Sequence, residues 1–236
     1  MKRIIAFLTA LLLAVGCSLS ACAQETRPIT FRGVPWGTAH DETIKQLQMD
    51  GVSFDTYAMG TKMKTIEDII YDGIGFYNYE AAFYHRIGFQ SPKFSVAGYS
   101  DADVLVYFVY APDDSGNFTA EEKDSVFFAA KYELDVNDVA AVREDLKAKL
   151  SSLYGEPCNE KEKTLIFENT WVTWEDEEGN LVVLGTQEYQ ETTRKVYIWY
   201  AWGEANEFLQ QSNDALYAAA RAEEAKSFGE GNTEGL

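Results

Sequence analysis

Histidine, cysteine and proline are scarce in this chain: two, three and five among 236 residues. With only His40 and His85 present, a histidine-rich metal centre is excluded, and neither a metal nor a cofactor is expected. Cys17 and Cys22 lie close to the N-terminus, leaving Cys158 as the one thiol of the body and excluding an intrachain disulfide framework there. Cys158 follows Pro157 in a polar stretch with no histidine nearby in sequence. A catalytic thiolate needs a partner that lowers its pKa, so Cys158 reads as a bystander. Basic residues are few too, 20 Lys and Arg against 38 Asp and Glu, for a net charge of −18. Nucleic acid is therefore not an expected partner, because its phosphates demand a basic surface. The patterns G-x-S-x-G, H-E-x-x-H, C-x-x-C and the P-loop do not occur. Carboxylate pairs such as Glu121-Glu122 and Glu177-Glu178 do, but so many acidic residues produce neighbours by chance and give no glycosidase signal.

Long hydrophobic runs are missing as well. The longest uncharged apolar stretch, residues 4–16, has 13 residues, whereas a helix crossing a bilayer core needs roughly 20. Lys2 and Arg3 precede it, and Ser18, Ser20, Ala21 and Ala23 follow it, which is the layout of a secretory signal. Leu19-Ser20-Ala21-Cys22 resembles the lipobox of bacterial lipoproteins at all four positions, with Cys22 as the lipid-attachment residue. Ala14-Val15-Gly16-Cys17 is a poorer match. Ala21-Cys22-Ala23 also fits the A-x-A pattern of ordinary secretion, with release from Gln24. The lipid reading is the better supported of the two. It expects a signal over residues 1–21, an acylated spacer over 22–29 and stable anchoring, since two or three acyl chains exceed the marginal hold of one. Loss of Lys2 and Arg3 would leave 18 basic residues against 38 acidic ones, a net charge of −20. Such a body stands near a membrane without adhering to anionic headgroups.

The remaining pattern predicts an α+β fold: antiparallel β-sheet packed by two or three amphipathic helices in one domain over residues 30–227. Strands are expected over 29–34, 93–100, 103–111, 125–134, 164–168, 170–175, 181–185 and 195–202. The run Val104-Leu105-Val106-Tyr107-Phe108-Val109-Tyr110 is apolar on both faces, as in a strand covered twice. A short helix is expected from Thr38, with Thr38 as its N-cap. A longer one is expected after a cap at Asn137 or Asp135, with Val139, Val142, Leu146, Leu150 and Leu153 as its buried stripe and Gly155 and Pro157 as its stop. Helix-then-strands occurs twice, suggesting two halves at about 30–111 and 124–203. An alanine-rich helix over 204–227 follows, and residues 228–236 should be disordered.

The richest feature is aromatic content, 14% of the chain. Tyr77, Tyr79 and Tyr84, in the stretch 71–84, are candidates for a platform that stacks sugar rings or peptides. Trp171 and Trp174 lie three apart on a strand and must face opposite sides, with burial the simpler outcome for both. Residues 113–122 partly match a calcium loop through Asp113, Ser115, Gly116 and Glu122, but Ala111 stands where the first ligand belongs.

Phe31-Arg32-Gly33-Val34-Pro35-Trp36-Gly37, Val96-Ala97-Gly98-Tyr99, Leu105-Val106-Tyr107-Phe108 and Leu150-Ser151-Ser152-Leu153-Tyr154-Gly155 together resemble a group of uncharacterised lipoproteins from anaerobic bacteria. The resemblance spans most of the mature chain and implies no chemistry. The expectation is therefore a non-catalytic lipoprotein at the cell membrane or outer envelope, outside the cytoplasm. It would hold to the membrane through its N-terminal lipid and bind or scaffold an envelope protein or glycan. A carbohydrate- or peptide-binding module using residues 71–84 is the alternative, and an envelope hydrolase using acidic residues a more distant one.

Overall fold

A computed structural model describes residues 27–47, 54–58, 66, 70, 84–89, 94–113, 115–117, 121–164, 168–189 and 193–230. Its centre is one antiparallel sheet of eight strands: β1 (Phe54–Ala58), β2 (Tyr84–Phe89), β3 (Asp103–Tyr110), β4 (Ser125–Asp135), β5 (Asn159–Thr164), β6 (Glu168–Glu175), β7 (Leu181–Tyr189) and β8 (Thr193–Ala201). The spatial order is β1-β2-β3-β4-β8-β7-β6-β5. Each run of four is a meander, and the two meet where β4 pairs with β8, from Ala129 opposite Ala201 to Asp135 opposite Lys195. The α+β class read from the sequence holds in this form. Helices α1 (His40–Gln46), α2 (Val139–Tyr154) and α3 (Ala205–Glu230) accompany the sheet.

Apolar residues on alternate positions bury both faces of the sheet. Val104, Val106 and Phe108 of β3 join one cluster with Val182, Leu184, Val196, Ile198 and the α2 residues Val139, Leu146 and Leu150. Tyr107 and Val109 join a second with Trp199, Val183, Trp171 and the α3 residues Ala205 and Leu209. This is the double coverage that the unbroken apolar run of β3 required. The β3–β4 register shifts at Tyr107/Phe108, so that Phe128 is an extra residue in β4. A bulge of this kind turns two successive side chains to one face. Phe128 and Ala129 accordingly share the second cluster, while Phe127 and Ala130 lie in the first.

Strand β8 pairs only the later part of β4, and the segment before α1 covers the rest. Gly37 donates its N–H to the Phe127 carbonyl at 2.9 Å, and Phe127 returns one to Thr38 at 2.8 Å. The Trp36 ring stacks on Phe127 with centroids 5.0 Å apart, and its Nε1 donates to the Ile29 carbonyl at 2.9 Å. The Pro35-Trp36-Gly37 motif is thus a plug for the open part of β4.

Several local expectations are corrected. Residues 29–34 form a tight turn rather than a strand, with a bridge from Phe31 to Val34 around Arg32 (φ 53°) and Gly33 (φ 77°). The strand expected over 93–100 is likewise a turn, bridged from Val96 to Tyr99 around Ala97 (φ 52°) and Gly98 (φ 92°). Alternating hydrophobicity reads the same for a strand and for a two-residue turn whose flanks both point inward. Thr38 does not cap α1; the N-cap position is Ala39, and the Thr38 hydroxyl donates to Pro35 instead. Asp138 caps α2, accepting the Ala141 N–H at 3.0 Å, in place of Asn137 or Asp135. Leu153 is 43% exposed, and Tyr154, four residues after the buried Leu150, packs against the core in its place. The C-terminal helix runs to Glu230, past residue 227. The expected strand at 164–168 resolves into the end of β5 and the start of β6, with 165–167 outside the described residues.

The hairpin loop between β6 and β7 sits against the entry to α3. Asn180 Oδ1 accepts the Gly203 N–H at 3.0 Å, and a Cβ placed on Gly203 would lie 2.5 Å from the Gly179 carbonyl oxygen. Backbone meets backbone here, so neither side can yield cheaply. Gly203→Ala is expected to destabilise the domain by about 2 kcal/mol, read as a lower urea midpoint with an unchanged slope. An unaltered midpoint would show that the two turns separate freely.

Candidate functional site

The structure brings some of the candidate residues together and leaves others aside. Cys22, Tyr77 and Tyr79 lie outside the described residues. Tyr84 opens β2, its backbone opposite Val109. Trp171 and Trp174 are both buried, on opposite faces, Trp171 beside Trp199 in the α3-side cluster and Trp174 in the α2-side cluster. Trp174 Nε1 donates to the Gly155 carbonyl at 3.0 Å and so fastens the end of α2 to the sheet. His40 begins α1, packs its ring 4.7 Å from that of Phe108, and pairs through Nδ1 with Asp41 at 2.8 Å. His85 stands opposite Phe108 in the β2–β3 register. In the loop that resembles a calcium site, Asp113 Oδ1 accepts the N–H groups of Ser115 and Asn117 at 2.8 and 2.9 Å. Those backbone donors hold the Asp113 carboxyl below the ordinary carboxylate range. The carboxylate is committed to its own turn. The Cys158 thiol is exposed and directs Sγ toward the Thr173 carbonyl. Partial burial and then the Glu175 charge push its pKa up, the wrong direction for a nucleophile.

Two polar constellations that sequence reasoning did not single out are more developed. The first lies on the α3 side of the β4–β8 seam. Alternation along Lys131-Tyr132-Glu133 puts Lys131 and Glu133 on one face, where Lys131 Nζ donates to Glu133 Oε2 at 3.0 Å. Lys195, on β8, donates to the other Glu133 oxygen and lies 3.7 Å from Asp135. The Lys131 ammonium sits over two rings as well, 4.9 Å from the Tyr197 centroid and 5.2 Å from that of Trp199. Burial alone would raise the Glu133 pKa, but Lys131 and Lys195 outweigh it and hold the carboxyl below its ordinary 4.5. Asp103 feels the reverse balance, pushed up by burial and by Glu133 and Asp135. The K-x-E alternation was visible in the sequence; its partner on β8, 62 residues on, was not.

The second constellation lies on the opposite face, at the tight turn of residues 31–34. Phe31 is buried among Tyr132, Tyr200 and Phe127, with ring centroids at 5.1, 5.6 and 6.2 Å. The next residue, Arg32, is exposed. Its guanidinium is clamped over the rings of Phe94 (4.8 Å) and Tyr132 (5.5 Å), Nε donates to the Tyr132 hydroxyl at 2.6 Å, and Nη2 to the Ser95 carbonyl at 3.2 Å. Arg32 thereby ties the 31–34 turn to the 96–99 turn. Lys149 of α2 holds the latter from the other side through the Ala97 carbonyl at 2.8 Å, while pairing with Asp145 and capping the Tyr99 ring at 5.3 Å.

Comparison of the chain with family models, with curated proteins and with solved structures returned no match.

The Glu133 cluster makes stability depend on pH. Because the folded-state pKa is depressed, the contribution of this carboxylate is complete above 4.5 and is lost as pH falls through the lowered value. Lys195 works in the other limb: its pKa is raised above 10.5, so its contribution is complete below that and lost as pH rises further. Glu133→Gln takes from the buried Lys131 the carboxylate 3.0 Å away and is expected to cost about 3 kcal/mol at neutral pH. It should also flatten the acid limb of urea midpoint against pH. A variant that keeps the wild-type acid slope would show that other carboxylates set it.

Proposed function

We propose that the chain is an exported lipoprotein, anchored by acylation of Cys22, whose domain binds or scaffolds a partner outside the cytoplasm rather than carrying out catalysis. The observation that carries this reading is the basic start, the 13-residue apolar run and Leu19-Ser20-Ala21-Cys22, in that order. The body supports it in two ways. The Ile29 N–H is held by Asp176 Oδ2 at 2.9 Å, so the folded domain takes hold of the chain only seven residues after Cys22. At full extension that tether spans about 25 Å, enough to stand the domain just off a bilayer. Among the described residues no helix is long and apolar enough to cross one. The thiol chemistry agrees with a non-catalytic role, since the Cys158 pKa is displaced upward.

We also read the domain as two halves sharing the β4–β8 seam, each a helix followed by a four-stranded meander, with the break after β4 rather than between residues 111 and 124, where the sequence pattern puts it. The likeness to uncharacterised lipoproteins of anaerobic bacteria, carried by the 31–37, 96–99, 105–108 and 150–155 segments, fits this reading. The first two of these segments contain tight turns packed on the α2 face of the sheet, structural motifs that many partner specificities can share. The partner expected is an envelope protein or glycan.

Mass spectrometry of the protein from its native envelope tests the anchor. The N-terminal residue should be Cys22 carrying a diacylglyceryl mass, and the protein should enter the detergent phase on Triton X-114 separation. Cys22→Ala should move it to the aqueous phase as uncleaved precursor. A natural product that begins at Gln24 and stays aqueous would overturn the anchor.

A further inference from the structure

Arg32 differs from many of the described cations in what it touches. Lys45, Lys123, Lys131, Arg143, Lys147, Lys149, Arg194 and Lys195 each have a carboxylate within 4.0 Å. A chain with 38 acidic residues supplies them readily. Among the described residues Arg32 takes no carboxylate; its partners are a phenol hydroxyl, a backbone carbonyl and two aromatic rings. The Nε and Nη2 bonds fix the plane of the guanidinium while the group remains exposed. The left-handed backbone at Arg32 (φ 53°) presents the side chain from a turn whose neighbours, Phe31 and Val34, are fully buried. The rotamer cost of holding a long cationic side chain in one pose is therefore met before any ligand arrives.

Phenols lie beneath and beside the clamp. Tyr132 accepts from Arg32 and keeps its own O–H proton to donate. Its ring meets that of Tyr200 edge-on at 6.3 Å, and Tyr154 at the end of α2 couples to the Tyr200 hydroxyl. A second exposed cation, Arg27, acts electrostatically on both Tyr154 and Tyr200. It too has no ion-pair partner among the described residues. Arg32 bonds Tyr132, whose ring meets Tyr200, and Arg27 acts on Tyr200 and Tyr154 beyond it.

We propose that Arg32, held by Tyr132, Ser95 and Phe94 and assisted by Arg27, is an oxyanion-binding site for a phosphate group. Guanidinium recognises phosphate and carboxylate alike through paired N–H donors. A phosphate is favoured because a divalent anion gains more than a carboxylate from the Arg32 guanidinium and from Arg27, a second exposed cation five residues before it. The phosphate can be a free or sugar-borne group, or that of a lipid headgroup. Arg27 is five residues from Cys22, so in the anchored reading it lies within about 18 Å of the acyl attachment. The clamp itself does not depend on the anchor.

The test is isothermal titration of the full-length protein in detergent with inorganic phosphate, with glycerophosphoglycerol as the soluble headgroup, and with acetate. Saturable binding of phosphate or of the headgroup, weaker by tenfold or more in Arg32→Gln and by a few-fold in Arg27→Gln, is the expected result. The preferred ligand then assigns the source. Arg32→Lys keeps the charge but loses the planar fork, and should also bind more weakly. Arg27→Gln leaves the Arg32 clamp intact, so it reports on binding even where Arg32→Gln perturbs folding. Cys22→Ala should bind as wild type does, which separates this site from the anchor. Equal binding by wild type, Arg32→Gln and Arg27→Gln, acetate binding as tightly as phosphate, or no saturable binding at all would each overturn the proposal.

Discussion

The pairing of β4 with β8 is the constraint on which the rest of the molecule depends. Within each group of four, every strand pairs with the one next to it in the chain. The seam joins residues about 65 apart, and its loop-closure entropy must be met by what packs on it. Both faces of the seam contribute. On one, Tyr132, Leu134, Val196, Ile198 and Tyr200 share a core with Leu146 and Leu150 of α2; on the other, Ala129, Tyr197, Trp199 and Ala201 share one with Ala205 and Leu209 of α3. A single sheet with both faces dry binds the two meanders into one cooperative body.

The same seam explains why polar groups sit where they do. Lys131, Glu133 and Lys195 span it on the α3 side, and the ion pairs cross from β4 to β8. Such buried pairs contribute little net stability, but they penalise any slip of register, since a one-residue shift would carry Lys131 and Glu133 to the apolar α2 side. Tyr132 and Tyr200 face the other way and form the floor on which Phe31 and Arg32 rest. The bulge at Phe128 sets the phase of both arrangements.

Much of the fold was legible in the sequence, and what was not has identifiable causes. The two-sided burial of β3 followed from seven consecutive apolar residues, and the opposite facing of Trp171 and Trp174 from the pleat. The turns at Phe31–Val34 and Val96–Tyr99 were read as strands because residues with inward-pointing flanks mimic alternation. Only the glycines at 33 and 98 signalled otherwise. Cap assignment failed at Thr38 and Asn137 because hydroxyl, amide and carboxyl side chains cluster near both helix starts, and backbone geometry chooses among them. The Arg32 clamp was illegible for a different reason. Its partners come from residues 94, 95 and 132, far from it in sequence, and only the folded chain brings them together.

Native-state hydrogen exchange along the seam tests the account most directly. If the two meanders form one body through β4 and β8, the amides of Tyr132, Leu134, Val196 and Ile198 should be among the slowest to exchange. They should open only with global unfolding and share one free energy with the interior amides of β3 and β7. Distinct opening energies for the two meanders, with the seam amides exchanging first, would contradict it.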